Sequence, residues 1–179
     1  MRDPSARWSY EDLLHLPEDG KRHELIDGEH FVSPAPTPRH QAVSFNLIRL
    51  LGNFVHATKC GRLYHAPLDV VLSPHNVVEP DLLFISAGRE HVIGERCLAA
   101  APDLAIEILS PSSRRIDAVL KRHLYEKHGV AEYWIVDPEA AAVEVLRRRG
   151  DRLRPEPHGE TLSTPLLPGL TIALGEIFE

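Results

Sequence analysis

Leu104-Ala105-Ile106-Glu107-Ile108-Leu109 is an apolar run interrupted by one acid. Its length and its aliphatic, partly β-branched content predict a strand covered on both faces of a sheet. A carboxylate in such a strand is costly to bury unless a cation or hydrogen bonds compensate it. Glu107 therefore needs a reason beyond packing.

Downstream, Pro111-Ser112-Ser113 opens a helix that runs to about Lys127, with Ile116, Leu120 and Leu124 as its expected buried stripe and Gly129 as its stop. Lys121 falls one turn after Asp117, at the edge of that stripe. Taken alone, the two read as a solvated ion pair. Tyr133-Trp134-Ile135-Val136 is a second buried strand, closed by Asp137-Pro138. Upstream, Val77 to Ile85 reads as a further strand, and in Val77-Val78-Glu79-Pro80-Asp81-Leu82 a period of two puts Glu79 and Asp81 on one face. Pro80 cannot donate to a ladder, so a bulge or an edge is expected there. If the Asp81 and Glu107 strands are neighbours, the two acids can share a divalent cation; the competing reading pairs each with an arginine or lysine.

The outer parts of the chain complete a mixed α/β pattern. Residues 9 to 16 form a short helix with Ser9 as N-cap and Asp12 three residues on, and Pro17 and Gly20 stop it. Asp27-Gly28 joins two extended runs as a hairpin, and Ser33 to Pro38 is an ordered loop. From His40 to about Ala57, Val43, Leu47, Leu50, Leu51 and Phe54 recur at helical steps. A strand follows over about 62 to 72, and a late hairpin, Ala142 to Arg148 with Arg152 to Glu156, turns at Gly150-Asp151. The expected architecture is one mixed central sheet flanked by helices, a single domain over 1–179 with an N-terminal helix and hairpin extension.

Composition narrows the function classes. With 179 residues, 43% hydrophobic and 26% charged, the chain can bury a full core, and disorder is excluded as the dominant state. No run approaches the roughly 18 apolar residues of a membrane span, and Met1-Arg2-Asp3-Pro4 lacks an apolar signal core, so the expectation is a cytoplasmic protein without a membrane partner. Cys60 and Cys97 are too few for a disulfide framework. A net charge of −6 argues against coating nucleic acid by bulk electrostatics. The 11 histidines include no His-Glu-x-x-His spacing.

Pro80-Asp81, then Glu107-x-Leu109, then Asp117-x-x-x-Lys121-x-x-x-Tyr125, resembles the Uma-two family of restriction-endonuclease-like proteins in the PD-(D/E)XK nuclease superfamily. Further matching segments are Glu24-Leu25-Ile26-Asp27-Gly28-Glu29, Ala101-Pro102-Asp103-Leu104, Glu132-Tyr133-Trp134-Ile135-Val136-Asp137-Pro138 and Pro165-Leu166-Leu167-Pro168-Gly169-Leu170. The resemblance implies a restriction-endonuclease-like sheet with flanking helices, Mg2+ (or Mn2+) held by Asp81 and Glu107, and hydrolysis of phosphodiester bonds in DNA. The superfamily lysine two residues after the acid is replaced here by Leu109, and the resemblance moves that role to Lys121 on the following helix. Glu24 resembles the family's additional acid near the metal, and His40 and Gln41 occupy positions where members carry a His or Gln.

Mg2+ takes a few carboxylates together with water and substrate phosphate, which suits these residue types. Arg114, Arg115 and Arg122, near Lys121, are candidates to guide phosphate. Arg147-Arg148-Arg149 with Arg152 and Arg154 either hold DNA backbone or form an exposed hairpin end. A homodimer would let so small a domain span both strands. The alternative from another class is an inactive nuclease-fold interaction module of a mobile-element or defence system, which Leu109 and the negative charge favour.

Overall fold

Ser9 starts the first element among the described residues, the one-turn helix Tyr10–Leu13 (α1), through the capping box with Asp12 that the sequence predicts. The hairpin Arg22–Ile26 (β1) and Glu29–Ser33 (β2) follows. Its turn residues Asp27 and Gly28 have φ of 50° and 82°, the left-handed pair that an Asp-Gly type I′ turn requires. Pro38–Thr58 (α2) is capped by Thr37 and buries His40, Val43, Leu47, Leu51 and Val55 at helical spacing. The computed structural model describes residues 7–17, 19–111 and 113–179. Met1 to Pro4 and Ser112, used in the sequence reading, lie outside the described residues.

Beyond α2 come Gly61–His65 (β3), Val70–Ser73 (β4), Asn76–Val78 (β5), Leu82–Ser86 (β6), a 3-10 turn over Ala87–Val92, and Leu104–Ile108 (β7). A π-helical segment, Ile116–Lys121, leads into Arg122–Lys127 (α3). Glu132–Asp137 (β8), Ala142–Arg149 (β9), Arg152–Glu156 (β10), Thr161–Leu162 (β11), Ile172–Ala173 (β12) and Leu174–Phe178 (α4) complete the chain. The central sheet has six strands in the order β10-β9-β8-β7-β6-β3. Its pairs are antiparallel apart from β7 and β8, which run parallel and are joined by the helical segment.

The expected mixed central sheet flanked by helices is present, accompanied by two smaller sheets. A four-stranded sheet, β2-β1-β5-β4, stands beside the central one, and β11 pairs with β12. Prolines set the division. The run read as one strand over 77 to 85 breaks at Glu79-Pro80-Asp81 into β5 and β6, and the run over 62 to 72 breaks at Ala66-Pro67 into β3 and β4. In each case the two halves belong to different sheets.

Two apolar clusters cover the faces of the central sheet. Leu82, Phe84, Leu104, Ile106, Ile108, Trp134 and Val136 meet α2 on one face. Leu83, Ile85, Ala105, Tyr133 and Ile135 meet Leu124, Tyr125 and the β4–β5 residues Val70 and Val78 on the other. Truncating a buried leucine such as Leu47 in such a core costs about 2–5 kcal/mol. The helix after β7 departs from the expected stripe: Asp117, Lys121, Leu124 and Tyr125 are its buried residues, whereas Ile116 and Leu120 are only partly covered. The π winding changes the angular phase of side chains, so a stripe counted at α-helical spacing points the wrong residues inward. Among the described residues, no helix is long and apolar enough to cross a membrane.

Candidate active site

Asp81 sits where the chain passes from one sheet to the other. Leu82 pairs with Ile106 in the antiparallel β6–β7 ladder, so one step further brings Asp81 beside Glu107. Alternation places both on the face opposite α2's apolar contacts. The Asp81 carboxylate is fully engaged by protein donors. Arg22 Nη1 donates to Oδ1 at 2.7 Å, while the Ile108 amide at 2.7 Å and His40 Nε2 at 3.2 Å approach Oδ2. Burial opposes its charge, but His40, Arg22 and the Ile108 amide outweigh burial and hold Asp81 below the ordinary carboxylate range. His40 Nδ1 is buried without a hydrogen-bond partner.

Glu107 is 1% exposed and lies under the helical segment. Its Oε1 accepts from Lys121 Nζ at 2.9 Å and from the Tyr125 hydroxyl at 2.8 Å. Lys121 is also 1% exposed, and the same ammonium meets Glu24 Oε1 at 2.8 Å and Asp117 Oδ1 at 3.3 Å. This corrects the reading of Lys121 and Asp117 as a solvated pair at the stripe's edge. Three carboxyls converge on one ammonium. Burial pushes Glu107 well up from its ordinary value; Lys121 opposes that, and the charges of Asp117, Asp81 and Glu24 add to it. Burial works against the Lys121 charge, yet Glu107, Glu24 and Asp117 outweigh it and raise its pKa well above normal. Lys121 is thus a permanent ammonium at neutral pH.

The N-terminal sheet closes the site. In β1, Arg22 and Glu24 are two residues apart and share a face, which delivers a guanidinium to Asp81 and a carboxylate to Lys121. Glu24 Oε1 also accepts from the Glu79 amide at 2.7 Å, tying β1 to the crossing segment. Glu79 is not on a strand shared with Asp81. Its carboxyl is pushed up to about 7, chiefly by burial and then by Asp69 and Glu24.

The remaining candidates divide. Gln41 lines, with His40, Arg22 and Asp81, a cavity of about 500 Å3 that opens over the site. Arg114 pairs with Asp137 at 2.8 Å, Arg122 faces Glu144 at 3.7 Å, and Arg115 is exposed, so none of the three joins the acid cluster. On the late hairpin, Arg147 and Arg149 pair with Glu156, Arg152 pairs with Glu126, and Arg148 donates to backbone carbonyls. Sequence reasoning did not single out Arg22. Its spacing from Glu24 on a predicted hairpin strand was the available signal.

Whether these residues suit a divalent cation is a matter of donor chemistry. Glu24, Asp81, Glu107 and Asp117 are buried carboxyls facing Arg22 and Lys121, an excess of hard oxygen donors over positive charge. That imbalance fits Mg2+ or Mn2+. Among the described residues no group of three or more His, Cys, Asp or Glu is already arranged as a metal cluster. Arg22 occupies Asp81 Oδ1, so a cation held at that oxygen would have to displace the guanidinium.

Comparison with known proteins agrees with this architecture. A solved structure from Anabaena variabilis ATCC 29413, described as "a putative nuclease belonging to DUF820", superposes with a TM-score of 0.79 at 23% identity, over 95% of this chain and 97% of that one. It shares the fold. No curated protein matches the chain. The family model described as "Uma2: Putative restriction endonuclease" matches residues 10–175, which include all three described sheets and every acid of the cluster, and the chain belongs to the Uma2 family.

Proposed function

We propose that the protein is a metal-dependent endonuclease that hydrolyses phosphodiester bonds in DNA, with Asp81 and Glu107 holding Mg2+ or Mn2+. The observation that carries this reading is the buried excess of carboxyls at Asp81, Glu107, Glu24 and Asp117, of which Asp81 lines an open cavity. A bound divalent cation would acidify a water and offset charge on the attacked phosphate.

The chain's own groups have distinct parts. Water oxygen bonds to phosphorus, the bond to one ester oxygen breaks, and that oxygen leaves with a proton. Lys121 keeps its proton, so it serves as a fixed positive charge and donor rather than as a base. Tyr125 and Lys121 hold Glu107 by one oxygen. The Ile108 amide and His40 fix the Asp81 orientation. Arg22, exchanging Asp81 for a substrate phosphate, would supply the cation nearest the scissile group.

Cleavage of supercoiled plasmid and of single-stranded circular DNA in Mg2+ and in Mn2+ tests the proposal. The wild type is expected to cut, and Asp81→Asn and Glu107→Gln to lose at least about a hundredfold in rate, the scale of a lost charge-stabilising group. A wild type that binds no metal by calorimetry and leaves DNA intact establishes the inactive interaction module instead. A homodimer belongs to the same proposal, and sedimentation velocity tests it.

A further inference from the structure

The cavity over Asp81 is larger and more apolar than a phosphate requires. At about 500 Å3 it falls in the roughly 300–1,000 Å3 range of sites that enclose a small organic ligand. Arg22, His40 and Asp81 form its charged end. Pro34 and Pro36 from the loop after β2, Pro67 after β3, and Phe45 and Ile48 from α2 supply apolar walls. Proline rings fix φ, so much of that wall is preformed. Phe45 is 66% exposed, an aromatic face left in water at the edge of the site. Scattered exposed apolar residues are ordinary; this one lines a cavity continuous with buried charge.

We propose that this cavity receives the base of an unpaired nucleotide, stacked on Phe45 against the proline wall, beside the phosphate at Arg22. The proposal rests on the nuclease reading and narrows its substrate to DNA with unpaired nucleotides at the cut. A nucleotide has the cavity's two halves, a flat apolar face and an anion. Stacking on an aromatic side chain is tolerant of sequence because every base has a π-face. A base within a duplex is stacked on both sides and must be unstacked before it can offer a face to Phe45.

Duplex grip by many phosphate contacts needs a broad basic surface. This chain carries a net charge of −6, and Arg147, Arg149 and Arg152 of its most basic stretch are paired with acids. His40 lines the cavity's charged end, where its Nε2 stands 3.2 Å from Asp81 Oδ2.

Titration of a short single strand carrying 2-aminopurine, in Ca2+ and in chelator, with the matched duplex as comparison, tests this. The wild type should bind the single strand at least about tenfold more tightly than the duplex and quench its fluorescence. Phe45→Ala should weaken single-strand binding about tenfold, the scale of one lost base stack, and Phe45→Trp should restore it. Equal binding of duplex and single strand, or no effect of Phe45→Ala, overturns the proposal. So does a wild-type dimer that Phe45→Ala dissociates. Plasmid cleavage in Mg2+ keeps the two readings apart: cutting without Phe45-dependent stacking leaves the nuclease and removes the base pocket, whereas Phe45-dependent stacking without cutting does the opposite.

Discussion

Glu107 on β7 and Glu132 on β8 lie on adjacent strands, each 1% exposed, each interrupting an apolar run. Their surroundings differ in charge count. Glu132 divides its oxygens between two donors, Trp134 Nε1 at 2.7 Å and Arg147 Nε at 2.8 Å, and the pair is neutral. Glu107 shares the Lys121 ammonium with Glu24 and Asp117, and Asp81 stands beside it. A matched buried pair is explained by structure alone. An unmatched cluster of like charge opposes folding and persists where another requirement holds it in place.

Lys121 gives the largest test of that contrast. Lys121→Ala removes the cation common to three carboxyls and is expected to destabilise the fold by about 3–5 kcal/mol and to abolish cleavage. Lys121→Arg, measured in parallel, should recover stability better than rate, since a planar guanidinium does not reproduce the ammonium's three contacts. Equal recovery of both would remove Lys121 from the chemistry.

The two glutamates themselves give the sharpest comparison, through isosteric loss of charge. Glu132→Gln should lower stability by about 1–3 kcal/mol, because Arg147 loses its buried charged partner and keeps only Glu156. Glu107→Gln should raise the melting temperature in chelator, because Lys121 keeps Glu24 and Asp117 while a carboxyl whose ionised form is disfavoured by burial and by its acidic neighbours is replaced. Mg2+ should stabilise the wild type and scarcely affect Glu107→Gln. Thermal melts with chelator and with Mg2+ check both, and the same sign in the two variants would break the contrast.

The smallest expected effect is in pH. Folded Glu79 keeps its proton up to about 7, whereas in the unfolded chain it releases it near the ordinary 4.5. Over that interval the folded state binds more protons, so stability is full below 4.5 and is lost as pH rises through about 7. Glu79→Gln should flatten this slope by on the order of 1 kcal/mol in denaturant melts across the interval. An unchanged slope would show that Glu79 titrates normally.

Much of the frame was legible in the chain. The run around Glu107, the strand Tyr133 to Val136 and the helix from His40 carry their periods openly, and they became β7, β8 and α2. The adjacency of Asp81 and Glu107 was conditional on neighbouring strands, and the Leu82–Ile106 pair, one step from both acids, supplies it. Burial of Lys121 was not legible, because counting at α-helical spacing assumes a winding that Ile116–Lys121 does not adopt. Arg22 was hidden for a different reason. Which strand of a hairpin faces which distant loop is a long-range fact, and local spacing carries none of it. The basic residues Arg114, Arg115 and Arg122 stand outside the acid cluster, since proximity to Lys121 in sequence says little about the side of the helix a charge takes.

Asp81 also closes the seam between strands. Pro80 brings no N–H to the point where β6 begins, and the Asp81 side chain takes the Ile108 amide that would otherwise lack an acceptor there. The same carboxyl that the chemistry wants is therefore built into the masonry. A descendant that abandons catalysis is not free to drop it: asparagine keeps an oxygen for Ile108, whereas alanine unseats the end of β7. Retention of an acid at this position in some relative would then testify to inherited architecture, and Glu107, held only by side chains, would be where a lost activity first leaves its trace.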